Sequence, residues 1–362
     1  MDTVAVVRQS TRDRTLDVVR GACIVSMTTA HLAQGTWIRA VTHPIRWTDG
    51  AFGFLFLAGL VMGLVQRRRF ESRGTIDQAW LIDRAILIYL AQVGLLATAV
   101  LLKIAVPDAR GLPNLEAQGG IAATTLRTLL LQLRAPNAAI LPLYAVLFLG
   151  AVVVLRLLAR QQLALALCGS GIIFALGQLI FRSSPDSAVG LGLYFYWPSW
   201  QVAFTASLVI GWYWEARQIS AIVTQARTLL IAGGVIAVGV LLGGVARQGT
   251  VWGTTTAPWT VPFGKYNLGF GAFVLGVAVL AVAYNAARCA LAQQYLKVGA
   301  EFLERLGTRS LACFVISSLV LFVQVAFLPY PPNVWWGALL TAISLALGWL
   351  WATWRQRTTR LR

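Results

Sequence analysis

Residues 52–63 read Phe52-Gly53-Phe54-Leu55-Phe56-Leu57-Ala58-Gly59-Leu60-Val61-Met62-Gly63. The stretch carries no charge and no polar side chain, so it is too apolar to leave in water. With its flanks it makes a segment of about 51–66, short for a bilayer crossing but fit for nothing else. Its glycines predict close helix–helix packing, because without a hydrophobic drive between helices in lipid, small residues let backbones approach.

The same reading extends along the chain. Apolar runs recur at about 18–38, 51–66, 82–102, 138–155, 163–181, 197–213, 228–246, 268–287, 309–328 and 335–354. Each is of the order needed to cross a hydrocarbon core of ~30 Å. Of the 362 residues 58% are hydrophobic and only 12% charged, and the mean hydropathy is +0.70. A soluble protein of this length needs more charge than that to cover its surface. The expected fold is therefore all-α: a polytopic transmembrane bundle of about ten spans. It forms one membrane domain over residues 18–354, with a short N-terminal tail (1–17) and a basic C-terminal tail (355–362). The N-terminal apolar run exceeds a signal h-region and lacks a small-residue cleavage pattern, so it is expected to remain as a span.

A net charge of +17 could point to nucleic acid, but its distribution points to topology. With the N-terminus in the cytoplasm, the inner segments hold 21 of the 30 Lys and Arg residues, the bias of the positive-inside rule. Both termini are then expected to be cytoplasmic, the protein a multi-pass protein of the cell inner membrane, and the excess charge a contact for membrane lipids. No nucleic-acid-binding module accompanies the charge. Cys23, Cys168, Cys289 and Cys313 lack metal-ligand spacing and read as reduced packing residues. Neither a bound cofactor nor a metal site is expected: no P-loop, G-x-S-x-G elbow or H-E-x-x-H helix occurs.

The residue that departs most from this background is His31, an ionisable side chain in the first span, and such a side chain is a functional-site hypothesis by default. The alternative is a histidine hydrogen-bonded between helices. The chain has one other histidine, His43, in an expected loop. Asp49 precedes the second span on the same outer side. It can orient the His31 imidazole for general-base work or simply cap the helix that follows. Tyr144, Trp200, Gln201, Lys265, Asn267 and Arg46 gather at the outer ends of other spans. Together with His31 they outline an outer polar site fit for a carbohydrate acceptor. Aromatic outer loops around 194–201 and 252–266 suit sugar stacking or an interfacial belt. Residues 124–134, with leucines three and four apart, predict an amphipathic helix at the interface. On the inner side Arg67, Arg68, Arg69 and Arg84, with Arg20 at the edge of span one, form a topology signal or a phosphate contact for a nucleotide-bearing donor such as acyl-CoA.

These stretches resemble a known family. Leu16-Asp17-x-x-Arg20-Gly21 followed by His31 is similar to the first-helix signature of OpgC-type membrane acyltransferases, related to the acyltransferase-three superfamily. Thr48-Asp49-Gly50-Ala51 through Gly59 resembles the second-helix stretch. Leu141-Pro142-Leu143-Tyr144, Trp197-Pro198-Ser199-Trp200-Gln201, Phe263-Gly264-Lys265-Tyr266-Asn267 and Gly307-Thr308-Arg309-Ser310-Leu311 follow in family order. Departures are Ala30 beside the histidine, Gln92 where a further histidine is common, and Ala139 before Leu141-Pro142-Leu143-Tyr144.

The resemblance implies a membrane enzyme that O-acylates glycans at the outer side of the inner membrane. His31 would be the base and Asp49 its partner; acyl-CoA would be the co-substrate and a glycan or other envelope hydroxyl the acceptor, with succinyl a candidate group. Two alternatives stand beside it: a transporter or flippase of a lipid-linked or acylated precursor, and an inactive relative acting as a partner subunit. A transporter would commonly show an inverted repeat, and none is visible.

Overall fold

The computed structural model describes residues 12–45, 47–109, 111–130, 132, 138–183, 195–247, 263–328 and 330–360. Among the described residues the chain is all-helical, with fourteen helices and no strand. In chain order they are α1 (Arg14–Leu32), α2 (Trp37–Thr42), α3 (Gly50–Arg73), α4 (Gln78–Ala105), α5 (Gly120–Leu129), α6 (Ile140–Ala159) and α7 (Leu163–Ser183). Then come α8 (Trp197–Trp212), α9 (Ile219–Val223), α10 (Ala226–Arg247), α11 (Phe270–Ala292), α12 (Gln294–Thr308), α13 (Ser310–Phe327) and α14 (Val334–Arg360).

Among the described residues seven helices are long and apolar enough to cross a membrane: α3, α4, α6, α7, α11, α13 and α14. The sequence reading proposes ten. The three that fall short do so for distinct reasons. α1 carries Arg14, Asp17, Arg20 and His31; α8 has 16 residues; and the apolar part of α10 described here ends at Leu242. The first apolar run also breaks earlier than expected, at Leu32, and a turn leads into α2. The second is longer than expected: α3 runs on through Arg67-Arg68-Arg69 to Arg73, where Gly74 takes φ +70° and donates its N–H to the Phe70 carbonyl. That left-handed cap is one only glycine adopts cheaply. The segment expected at 124–134 is helical only in part: α5 begins four residues earlier and ends at Leu129, with Leu126 and Leu129 exposed, and residues 131 and 133–134 lie outside the described residues.

The glycines of α3 act as their spacing suggests. A Cβ on Gly59 would lie 2.1 Å from Ser207 Oγ of α8, and one on Gly63 2.1 Å from the Leu208 carbonyl oxygen. From α8, a Cβ on Gly211 would lie 1.9 Å from the Leu60 carbonyl oxygen. The two backbones touch at reciprocal glycines, which is how helices gain dispersion energy in lipid. α1 and α12 meet in the same way at Gly21 and Gly307. Around these two contacts a continuous core runs from Leu16 to Leu32 of α1 through Phe54, Leu57 and Leu60 of α3 to Phe204, Phe314 and Phe322.

Candidate functional site

α1 is the helix that carries the site. Asp13 caps it by accepting from Thr15 N–H at 2.9 Å, and its carboxylate also accepts from Tyr284 of α11 at 3.0 Å. Arg14 binds Glu304 of α12 at 2.7 Å, and Arg12 grips Asp17 through two bonds of 2.5 and 2.8 Å. With one end pinned, α1 presents Arg20 and His31 eleven residues apart. That is three turns, so both share a face about 16 Å apart along the axis.

His31 stands in the last turn, half-buried, beside a cavity of about 10 Å³ lined by Thr28, His31, Leu32, Phe314, Ser317 and Ser318. That is about the room one water needs, and the walls are polar enough to hold one. Among the described residues His31 makes no hydrogen bond, so both ring nitrogens are unspent. Asp49, Lys265, Arg39 and His43 all lie within electrostatic reach of it.

Asp49 has other direct duties. Its Oδ1 caps α3, accepting from Ala51 N–H at 3.0 Å and Phe52 N–H at 3.3 Å, and its Oδ2 pairs with the Lys265 ammonium. Burial alone would raise the Asp49 carboxyl, but Lys265 and the Phe52 N–H outweigh it and hold the group below the usual carboxylate range. The carboxylate therefore acts on His31 through space, as part of a fixed ion pair, rather than by a direct hydrogen bond.

The second histidine belongs to this cluster, which its loop position in the sequence does not reveal. His43 Nε2 lies 3.1 Å from Ser26 Oγ and Nδ1 3.0 Å from Thr42 Oγ1. Serines and threonines in lipid-embedded helices commonly bond back to their own helix, as Thr29, Ser317 and Ser318 do. Ser26 turns to His43 instead. Burial pushes His43 below its ordinary value, against the opposing pull of Asp49, so it stands as a neutral imidazole. The one signal that could have found it is scarcity, since the chain has two histidines and both converge here.

The remaining predicted residues divide. Tyr144 is buried on Phe54 and Phe148, its hydroxyl without a hydrogen-bond partner among the described residues, and it lies in electrostatic reach of Arg20 rather than at Lys265. Arg20 makes one hydrogen bond among the described residues, to the Leu57 carbonyl at 3.3 Å. Trp200, Gln201 and Asn267 spend their polar atoms inside the fold. The Trp200 indole donates to the Tyr266 carbonyl at 3.0 Å. Gln201 donates to the Ser170 carbonyl at 2.7 Å and accepts from its hydroxyl at 2.8 Å, and Asn267 donates to Gln178 at 3.1 Å. These bonds lock α7, α8 and the start of α11 together, and Gln178 is the member sequence reading missed. Arg46, Tyr194 and the aromatic stretch 252–262 lie outside the described residues.

At the opposite end of α3 the arginines are largely engaged. Arg67 pairs with Glu71 at 2.6 Å, Arg68 with Glu215 at 2.6 Å and Arg69 with Asp77 at 2.5 Å, and Arg84 lies over the Trp80 ring at 5.3 Å. A larger cavity of about 350 Å³ between α10 and α11, lined by Val235, Val238, Phe263, Phe270, Val274 and Leu275, offers no group able to do chemistry.

Helices that pack by glycine contact and an ionisable centre held inside them define an integral-membrane protein with a polar site built on its first helix. The model of the family described as OpgC protein matches residues 12–360, nearly the whole chain, and the protein belongs to the OpgC family. No curated protein matches it. No solved structure does either.

Proposed function

We infer that this protein is an integral-membrane O-acyltransferase. It moves an acyl group, succinyl being the leading candidate, from acyl-CoA to a hydroxyl of a glycan or other envelope acceptor at the outer side of the inner membrane. In this reading ten segments cross the bilayer, α1, α8 and α10 joining the seven apolar helices, and both termini face the cytoplasm. The observation that carries it is His31: an imidazole with both nitrogens unspent, beside a polar cavity inside a membrane bundle of the OpgC family.

The chemistry follows from the groups around it. His31 takes the proton of the acceptor hydroxyl as its oxygen attacks the thioester carbonyl carbon. The C–O bond forms, the C–S bond breaks, and the leaving sulfur takes the proton back from the imidazolium and departs as thiol. The Asp49–Lys265 pair sets the field at His31, and its ammonium would offset the negative charge that develops on the carbonyl oxygen. Arg20, three turns away on the same face and weakly bonded, offers a cation to the donor's anionic part, with Tyr144 beside it. Arg67, Arg68, Arg69 and Arg84 would meet the donor's phosphates by exchanging their carboxylate and ring partners.

The test is mass spectrometry of envelope glycans from a deletion strain complemented with wild type or with His31→Ala. An acyl group lost on deletion and restored by wild type alone is the expected result. Acylation restored by His31→Ala at wild-type level would remove the mechanism.

A further inference from the structure

Ser26 and His43 have no part in the chemistry above, yet they form a pair able to react. Ser26 Oγ lies 3.1 Å from His43 Nε2, and Nδ1 of the same ring lies 3.0 Å from Thr42 Oγ1. A hydroxyl within hydrogen-bond reach of an imidazole, itself held by a third group, is the arrangement that turns serine into a nucleophile. Among the described residues Ser26 Oγ makes no other hydrogen bond. Both side chains are only part-buried, so neither is sealed from a substrate.

The hydrogen count around Thr42 sets the ring the right way round. Thr42 has one hydroxyl hydrogen. Three oxygens lie within its reach: the Ile38 carbonyl at 3.1 Å, the Arg39 carbonyl at 3.3 Å and Thr29 Oγ1 at 2.8 Å. Given to any of these, the hydrogen leaves Oγ1 to accept from Nδ1–H. A neutral imidazole carries one N–H, so Nε2 is then an acceptor facing the Ser26 hydroxyl. Asp49 lies in electrostatic reach of the ring and favours the imidazolium that proton uptake would form, against Arg39 and Lys265.

The level of Ser26 in the bundle also matters. Along α1 it stands about 9 Å from Arg20 and about 7.5 Å from His31, between the two ends of the site. A donor held at the Arg20 end needs to bring only its thioester to mid-helix. The start of α3 lies against the serine, since a Cβ built on Gly50 would stand 2.9 Å from Ser26 Oγ. The Gly50 N–H, the first of α3, makes no hydrogen bond among the described residues and would offer a donor to an oxyanion formed there.

We propose that Ser26 is a catalytic nucleophile that takes the acyl group from acyl-CoA as an ester before the acceptor receives it, with His43 as its base. In the first step the Ser26 proton passes to Nε2 and Oγ attacks the thioester carbon. The C–S bond breaks, and the sulfur takes the proton from the imidazolium and leaves as thiol. In the second step the acceptor oxygen attacks the ester carbon and the C–Oγ bond breaks. The acceptor's proton reaches Oγ through His43, the group that removed the first one. Nothing is oxidised or reduced. Thr42 is a positioning residue, acting through His43. The proposal rests on the acyltransferase reading and divides direct transfer into two displacements, with His31 as the group that meets the acceptor. The acyl group then changes carrier inside the bundle, and CoA itself need not cross.

The test incubates full-length protein in detergent with succinyl-CoA or acetyl-CoA and no acceptor, then maps the denatured chain by mass spectrometry. One acyl group is expected on the peptide that contains Ser26, discharged when an envelope glycan extract is added, with ping-pong kinetics. Ser26→Ala and His43→Gln should take no label and should transfer roughly 10²- to 10⁴-fold more slowly. His31→Ala should take the label but fail to discharge it. Thr42→Val should slow labelling and Thr42→Ser restore it. The wild-type label decides the matter even where a variant fails to fold. Wild type that transfers without an acylated peptide and without ping-pong kinetics overturns the ester and leaves direct transfer at His31 standing. A label on Ser26 that no glycan discharges keeps the ester and removes the glycan acceptor. Neither transfer nor label from either donor overturns both.

Discussion

Substituting Gly307 by alanine tests the packing that holds the site. A Cβ at Gly307 would stand 1.8 Å from the Asp17 carbonyl oxygen, and the reciprocal Cβ at Gly21 1.9 Å from that of Leu303, whereas ordinary contact begins at 3.4 Å. The obstacle is backbone in both cases, so no side chain can swing aside. α1 and α12 would have to part by about 1.5 Å, losing dispersion along their length. Overpacking of this kind costs about 1–3 kcal/mol and occasionally more. Gly299 of the same helix is the control, since a Cβ there meets nothing within 4 Å and alanine gains about 0.5–1 kcal/mol of helix propensity. The assay is the apparent thermal midpoint of purified protein in one detergent, with glycan acylation in complemented cells beside it. Gly307→Ala is expected to lower the midpoint by several degrees and Gly299→Ala to hold or raise it. Acylation should fall as well, because Arg20 and His31 ride on α1 and a misplacement near 1 Å can cost about 10²-fold. A Gly307→Ala midpoint at or above wild type would refute the reasoning.

Asp49 separates two roles: Asp49→Asn keeps the cap but breaks the pair with Lys265, so it should lower stability and abolish transfer, while Asp49→Ala should lose about 1 kcal/mol of capping beyond that in urea or thermal unfolding. Gln201→Leu strands the Ser170 hydroxyl and carbonyl it now satisfies, so it should cost about 1–3 kcal/mol of stability with the acceptor KM unchanged. A raised acceptor KM would instead make Gln201 a substrate ligand. Arg68→Ala breaks an exposed pair and should change stability by less than about 1 kcal/mol. If the proposed donor contact holds, the same change raises the donor KM severalfold.

Much of the site was written in residue types that are costly where they stand. An imidazole and a guanidinium in the first span, and an Asp-Gly pair opening the second, stand out against uncharged surroundings, so His31, Arg20 and the capping role of Asp49 were legible. Lys265 was legible only as one of several outer polar residues. Its partnership with Asp49 spans 216 positions of sequence, and no local pattern encodes it. Gln201 and Asn267 looked like Lys265 by position, yet their amides close bonds between helices, because an unpaired amide in lipid costs more than a bond to a neighbour. His43 looked like a loop residue until the turn after Leu32 folded it onto Ser26.

From composition and periodicity alone came the all-helical membrane class, the approximate places where helices run, the close packing of α3 at its glycines, and the standing of His31 as an ionisable group in an apolar run. Those follow from local rules: an apolar run must satisfy its backbone within itself, and a charge in it must have a reason. Tertiary structure alone decided which polar groups are spent and which are left free. Among the described residues Gln201, Asn267 and the Arg67–Arg69 run find partners, whereas His31, Tyr144, Thr341 and Gln324 do not. Hydrogen bonding depends on what the neighbouring helix presents at a few ångströms, and that is set by helix register, which one-dimensional spacing does not contain.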